Sequence, residues 1–329
     1  MTLRREVRYQ IPQDREGATL LEFLVLRFPY FDREGWTAAI VAGQVRVNEA
    51  PAEPARVLAY RDVVEYFASE HPEPAVILDA RVVFDDADLL VLDKPGNLPC
   101  HPGGRHFNHT LWALLKERHG LESPIFINRL DRETSGLVVV ARHERAAKDL
   151  RAQFAGREVE KRYFALVEGH FPAEAHAVGC MEEDTASPVR KKRRFRSLAG
   201  ASPAEFGRAS ERADTRFRLL AVHGPVSAVE ARPLTGRQHQ IRATFEALGH
   251  PVVGDKLYGV DATIFLRFCE GAMTDADRAR LRLDRQALHA TSLRFRHPRT
   301  RQPLTLEAPL PADMADLIRR LDLIAASTP

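Results

Sequence analysis

The sequence predicts an α+β protein whose larger part is a mixed, mostly antiparallel sheet with flanking helices. Three observations carry this. Short segments of alternating apolar and polar residues follow one another across turns, so most strands pair with neighbours in sequence. Helical periodicities fall between them without the regular strand–helix alternation of a doubly wound sheet. The stretch Ala68–Ala75 (ASEHPEPA) has two prolines and no apolar periodicity. It divides the 329-residue chain into a small α/β module, residues 1–70, and a large domain, residues 76–329.

In the small module, Ala18–Phe28 spaces its apolar residues as a helix does, and Asp32–Ala42 predicts a second helix with Asp32 as N-cap. Gly43–Asn48 (GQVRVN) and Val57–Tyr66 alternate as strands. In the large domain, Arg81–Phe84 and Leu89–Leu92 flank Asp85–Asp88 as a hairpin. Gly136–Ala141 is a buried strand, Arg145–Phe154 a helix and Lys161–Glu168 a strand. Thr215–His223 pairs with Val226–Pro233, and Gln238–Leu248 is a helix ended by Gly249. Ala287–Phe295 and Pro303–Glu307 form a late hairpin before a final helix, Asp313–Ala325. Ser197–Arg212, rich in Ser, Ala and Gly, reads as a loop. No internal repeat is present.

Composition is that of an ordinary globular protein, 44% hydrophobic and 28% charged. The net charge is only +3, but Arg190–Arg218 holds ten Lys or Arg against three Asp or Glu. That local excess of +7 leaves the remainder slightly acidic, a distribution that suits a polyanionic partner. Cys100, Cys180 and Cys269 are too few and too scattered for a disulfide framework. The N-terminus lacks an apolar leader core and no segment is long enough to span a bilayer, so a cytoplasmic protein is expected.

Asn128–Arg142 (NRLDRETSGLVVVAR) sets Asp131 between Arg129 and Arg132, ahead of a Thr-Ser-Gly turn and an apolar strand. Neighbouring cations keep a carboxylate ionised, and a turn at the mouth of a rigid strand is a common seat for a catalytic group. Spacing alone favours an ordinary surface ion-pair cluster. Arg232–Gly259 gathers Arg237, His239 and Arg242 around a helix start, a pattern suited to phosphates. A lone histidine there is more often structural, and a strand tyrosine such as Tyr163 is more often packing.

Taken together, these segments resemble the RluA-type pseudouridine synthases of ribosomal and transfer RNA. Asp93–Pro102 (DKPGNLPCHP), Arg129–Gly136 (RLDRETSG), Lys161–Val167, Leu234–Gly259 and Leu288–Pro298 with Glu307–Pro311 match in order, across residues 75–311. RLD-x-x-TSG and TGR-x-HQIR are long, specific strings. Residues 16–66 are similar, more weakly, to the small RNA-binding module of the S-four ribosomal type. There Asp32-Arg33-Glu34 replaces the usual Ser-Arg start, and acid repels phosphate. Asn128 stands where the family usually has His, and Glu182–Arg212 is longer and more basic than in the family.

The resemblance implies isomerisation of uridine in RNA, ribosomal RNA ahead of transfer RNA, by a monomer that needs no cofactor, metal or protein partner. It implies Asp131 as the catalytic carboxylate, acting on the ribose as nucleophile or as base. Arg242 would pair with it, because a buried charge needs a partner. Tyr163 would lie against the target uracil, and its hydroxyl could help remove the carbon 5 proton. Arg129, Arg132, Arg237, His239 and Lys94 are the expected RNA contacts, with Arg129 filling the place of the extruded base. The run Arg190–Arg194 is expected on phosphates, or else as a solvated face.

Three other readings compete. Cys100, His101, His106 and His109 carry zinc-type donors, but at no finger spacing. Ser135 lacks a G-x-S-x-G elbow for a hydrolase. A catalytically inactive RNA-binding or assembly factor would share the basic segments, but the full RLD-x-x-TSG string argues against it.

Overall fold

The computed structural model describes residues 5–28, 31–68, 73–189, 191–198 and 211–326. The chain forms two compact units, Met1–Leu78 with Pro99–Glu122, and Asp79–Leu98 with Ser123–Pro329.

The first unit holds β1 (Arg5–Gln10), α1 (Leu20–Arg27), α2 (Arg33–Val41), β2 (Val45–Val47), β3 (Ala50–Pro51) and β4 (Val63–Ala68). Its four-stranded sheet runs β1-β4-β2-β3. Thr19 and Glu22 close a capping box on α1, and Asp32 caps α2 by accepting from the Gly35 amide at 2.8 Å. Phe23, Trp36, Ile40, Val45, Val64 and Tyr66 fill the core. Several features depart from expectation. β1 pairs with β4, although no strand is predicted there. The strand expected from Val57 begins only at Val63, because Asp62 ties a turn by accepting from the Ala59 amide at 3.0 Å and the Asn48 amide group at 2.7 Å. The same unit includes α3 (Leu111–His119), unpredicted, which Thr110 caps and Gly120 ends in the left-handed region at φ 62°. Glu73 accepts from the amides of Phe107, Asn108 and His109, each at 2.8 Å. Residues 69–72 of the expected linker lie outside the described residues.

The second unit begins with β5 (Arg81–Asp85), β6 (Leu89–Lys94), β7 (Ile125–Phe126), β8 (Ser135–Ala141) and α4 (Glu144–Ala155). It continues with β9 (Glu160–Glu168), β10 (Glu174–Glu183), β11 (Arg193–Ser197), β12 (Glu211–His223) and β13 (Val226–Pro233). Then come α5 (Gln240–Ala247), α6 (Thr263–Glu270), α7 (Asp275–Leu281), β14 (Leu288–Arg296), β15 (Pro303–Glu307) and α8 (Ala312–Ala326). Among the described residues eleven strands share one sheet, ordered β11-β10-β12-β13-β9-β14-β8-β6-β5, with β15 on β14 and β7 on β8. Among the described residues every pairing is antiparallel except β14 with β8. The α+β class and the mostly antiparallel sheet are as the sequence predicts.

One core packs Phe217, Val229, Phe245 and Leu317 between the sheet and the helices α5 and α8. A second packs Leu89, Leu137, Val139, Leu150 and Phe295 around α4. The parallel junction needs Gly136. Its φ is +110°, and a Cβ there would lie 2.3 Å from the Ala290 carbonyl oxygen. Gly136, within β8, is thus the residue that lets β14 pair at Ala290. Strands β7, β10 and β11 and helices α6 and α7 are unpredicted. Most of the expected loop 197–212 lies outside the described residues.

Candidate active site

Asp131 lies in the turn that feeds β8. Its Oδ2 accepts from Arg242 Nη1 at 2.7 Å, and its side chain keeps 33% of its surface exposed against 9% for Arg242. Arg242, on α5, also donates from Nε and Nη2 to the two oxygens of Asp255 at 2.6 and 2.9 Å. Asp255 is fully buried and further accepts from the amides of Leu257 and Tyr258, each at 2.9 Å. The guanidinium therefore bridges two carboxylates, one sealed and one open. Its Cζ lies over the Tyr258 ring, 4.9 Å from the centroid.

The electrostatics follow this arrangement. Burial pushes the Asp131 carboxyl up, but Arg242, His239 and a hydrogen bond from Gln286 outweigh it and hold the carboxyl below its usual range. Asp255 is held low in the same way, against burial, by Arg242 and the two amides. Arg242 is raised because its two carboxylates outweigh desolvation.

His239 is the N-cap residue of α5, in the left-handed region at φ 56°. Its Nε2 lies 3.8 Å from Asp131 Oδ1, and its Nδ1 shares a 2.9 Å hydrogen bond with the Tyr258 hydroxyl. Burial pulls its pKa down more than Asp131 pulls it up. The Tyr258 hydroxyl accepts from the Arg193 amide at 2.7 Å, which ties β11 to this site. Tyr163, on β9, stands opposite Ala231 of β13 and Ala290 of β14. Burial and the nearby Asp131 charge push its hydroxyl up to about 12.

The remaining candidates separate. Arg129 is exposed and has no acidic partner among the described residues. Arg132 pairs with Glu133 at 3.2 Å and covers the Phe268 ring, and Arg237 pairs with Glu211 at 3.0 Å. Lys94 is a correction. Expected on RNA, it is wholly buried and donates to the carbonyls of Pro95, Leu98 and Arg132 at 2.8, 2.9 and 3.2 Å. An ammonium with its donors turned to three carbonyls has nothing left for a phosphate, and here it pins the turn carrying Asp131. Lys192 of the basic run is likewise turned inward, to Glu246 at 2.8 Å and Asp184 at 3.7 Å. Arg194 and Arg196 share Glu182, and Arg190 lies outside the described residues.

Asn128 staples the turn to β8, donating to the Leu137 carbonyl at 3.1 Å and accepting from the Val139 amide at 2.8 Å. Ser135 is buried, with its Oγ 2.9 Å from Nδ1 of the equally buried His289, so no substrate reaches it as a nucleophile. Among the described residues the grouping of metal-type donors is Asp86, Asp88 and His297, not the Cys100 set. There Asp88 already takes Arg299 at 2.7 Å and His143 at 3.1 Å.

Sequence reasoning missed Asp255, Tyr258 and Gln286. Asp255 and Tyr258 lie within the quoted Arg232–Gly259 segment. Thirteen residues separate Arg242 from Asp255, which is no helical neighbour spacing, so only the fold brings them together.

Residues 88–247 match the RNA pseudouridylate synthase family. Over 336 residues the chain is 32% identical to the ribosomal large subunit pseudouridine synthase C of Vibrio cholerae, spanning 97% of this chain and 98% of that protein. The chain belongs to the RNA pseudouridylate synthase family. It is 31% identical to the mitochondrial tRNA pseudouridine(32) synthase of Saccharomyces cerevisiae, over 80% of this chain and 55% of that longer protein. The solved human RNA pseudouridylate synthase domain containing 1 superposes with a TM-score of 0.55 at 26% identity, over 78% of this chain and 99% of that one. The chain is thus an RNA pseudouridine synthase of the RluA type, an isomerase of uridine in RNA.

Proposed function

We propose that this chain isomerises uridines of ribosomal RNA, with Asp131 as the catalytic carboxylate. The supporting observation is the 2.7 Å pair of Asp131 with Arg242, in which one carboxylate oxygen is paired and the side chain keeps an open flank. The reaction breaks the bond between uracil and ribose, turns the base and rejoins it through carbon 5. It needs an anion at the sugar, as glycosidic cleavage does. Asp131 fits because Arg242 keeps it ionised in a largely desolvated place. It acts on the ribose, as nucleophile or as base.

Tyr163 offers the flipped uracil an aromatic face. Its hydroxyl is pushed up to about 12, so at neutral pH it is a hydrogen-bond donor rather than a ready base for the carbon 5 proton. Arg129 fills the gap left by the extruded base, and Arg132, Arg237 and His239 contact the RNA around it. Ribosomal RNA is favoured because the Vibrio cholerae relative, which matches nearly end to end, is named for the large ribosomal subunit. Residues 1–70 are assigned as an S-four-like RNA-binding module and residues 76–329 as the catalytic domain. No helix among the described residues is long and apolar enough to cross a membrane. A cytoplasmic monomer acting without a protein partner completes the reading.

The test maps pseudouridines in total RNA from strains with the gene, without it, and with Asp131→Ala. The expected result is one or more ribosomal RNA sites lost in both altered strains, while the purified variant still binds ribosomal RNA. Unchanged sites in both would sink the enzyme assignment, and sites retained with Asp131→Ala would sink the role of that residue.

A further inference from the structure

Four lysines of the second unit are buried or half-buried, and three have their charge answered. Lys94 donates to three carbonyls, Lys192 to Glu246 at 2.8 Å, and Lys256 to Glu133 at 2.9 Å. Lys161 differs. It is half-buried on β9, and among the described residues its ammonium meets one partner, the Thr235 carbonyl at 3.2 Å, with no carboxylate. A cation taken out of water without a counter-charge is destabilising, so such a position calls for an anion.

The surroundings repeat the signal. The charge that acts on Lys161 is another cation, Arg157, exposed at the turn before β9 and unpaired with any acid among the described residues. Burial first, and Arg157 second, bring the Lys161 ammonium down to about 8. Its neighbours on packed elements are uncharged: Leu293 opposite it on β14, and the Thr235–Gly236 turn before α5. Gly236 lies beside the ammonium: a Cβ there would meet Nζ at 3.9 Å, an ordinary contact, and no other atom within 4 Å. On its own strand, Tyr163 is two residues on, and hence on the same face and roughly 7 Å away.

We propose that Lys161 and Arg157 form a subsite for a backbone phosphate of the bound RNA, beside Tyr163. This rests on the reading that the chain acts on RNA. The two cations repel each other in the free protein, and a phosphodiester between them would relieve that repulsion and supply the missing counter-charge. The phosphate then holds the strand against the face that carries Tyr163.

The test uses the full chain and ribosomal RNA purified from a strain lacking the gene. Binding is measured between about 50 and 200 mM salt and from pH 6.5 to 9.5 for the parent, Lys161→Met, Lys161→Gln and Lys161→Arg. Either neutral variant should bind about tenfold more weakly, with a log–log salt slope shallower by about 0.7 to 0.9, as for one lost phosphate. Parent affinity should fall as pH rises through about 8, because the free ammonium loses its proton there and the bound one keeps it. That fall should vanish in Lys161→Arg, whose charge persists. The neutral variants should melt no lower than the parent, since they remove an unanswered charge. Neutral variants matching the parent in affinity, salt slope and pH profile would overturn the subsite, as would a pH fall persisting in Lys161→Arg. A parent that makes no pseudouridine while these binding differences hold would refute the activity and leave the subsite standing.

Discussion

Asp255 grips Arg242 along its Nε–Nη2 edge, at 2.6 and 2.9 Å, and so leaves Nη1 as the edge that faces Asp131. This sealed carboxylate sets both the direction and the residual charge of the guanidinium. Removing either partner should therefore move Asp131 in opposite senses. In Arg242→Met the carboxyl loses its main stabiliser and burial raises it, so the acid limb of kcat/KM moves to higher pH. Asp255 is left buried and unpaired, at about 3–5 kcal/mol of stability. In Asp255→Asn the guanidinium is less neutralised, Asp131 is held lower still, and the acid limb moves to lower pH while kcat falls. Both profiles are read from pseudouridine formation from pH 8 to well below pH 4, because the parent's acid limb lies under the usual carboxylate range. A shift in the same direction for both variants would contradict the two-carboxylate arrangement.

Lys94 should matter for stability and not for RNA affinity. Its ammonium satisfies three carbonyls beneath the Asp131 turn. Lys94→Met leaves those acceptors buried without donors, at about 1–3 kcal/mol for each that water does not reach. Urea unfolding should show a lower midpoint with an unchanged slope. At temperatures where the variant is folded, its RNA-binding salt slope should equal the parent's. A shallower slope would return Lys94 to the surface contacts expected of it from sequence.

The contrast between Lys94 and Arg242 shows what was legible in the sequence. Both lie in segments that carry the family resemblance, and the Asp131–Arg242 pair follows from it. Yet nothing in DKPGNLPCHP distinguishes a lysine facing RNA from one turned onto carbonyls of its own loop. That depends on where residues 95–98 fold back. Strong local signals came through: the Asp32 cap, the apolar run of β8, the α5 start. β11 did not, because RRFRS offers one apolar residue, Phe195, amid charges, and its burial comes from packing against α5. Asp255 is the clearest gap. Its partner is thirteen residues away across a turn, and pairing at that distance is a property of the tertiary fold.

Gly136→Ala should be among the most damaging single-methyl changes in the chain. The backbone sits at φ +110°, where a Cβ is strained, and the added atom meets Ala290 oxygen at 2.3 Å and nitrogen at 2.6 Å. Backbone on a paired strand cannot retreat as a side-chain tip does. The expected loss is about 3 kcal/mol or more, from strain and overpacking together. Activity should fall in the fraction that remains folded, because β8 anchors the turn holding Asp131. Thermal melting checks the first outcome and single-turnover kinetics on the folded protein the second. A variant that melts within a degree of the parent would mean that β8 and β14 separate freely.

His289 should make stability fall with acid between pH 6.5 and 4. It is wholly buried beside Ser135, and burial, outweighing its bond to the Ala308 carbonyl, lowers its pKa to about 4. In the unfolded chain the ring binds its proton near 6.5. Within that window the unfolded state holds more protons than the folded one, so unfolding becomes easier as pH drops. The full span amounts to about 3 kcal/mol at the conversion of 1.36 kcal/mol per unit. His289→Gln keeps a polar group for Ser135 but does not titrate. Urea midpoints measured every half unit should therefore decline less steeply for this variant than for the parent between pH 6.5 and 4, and converge on the parent's slope above pH 7. Parallel declines through the window would show that His289 takes up its proton in the folded protein as readily as in the unfolded one.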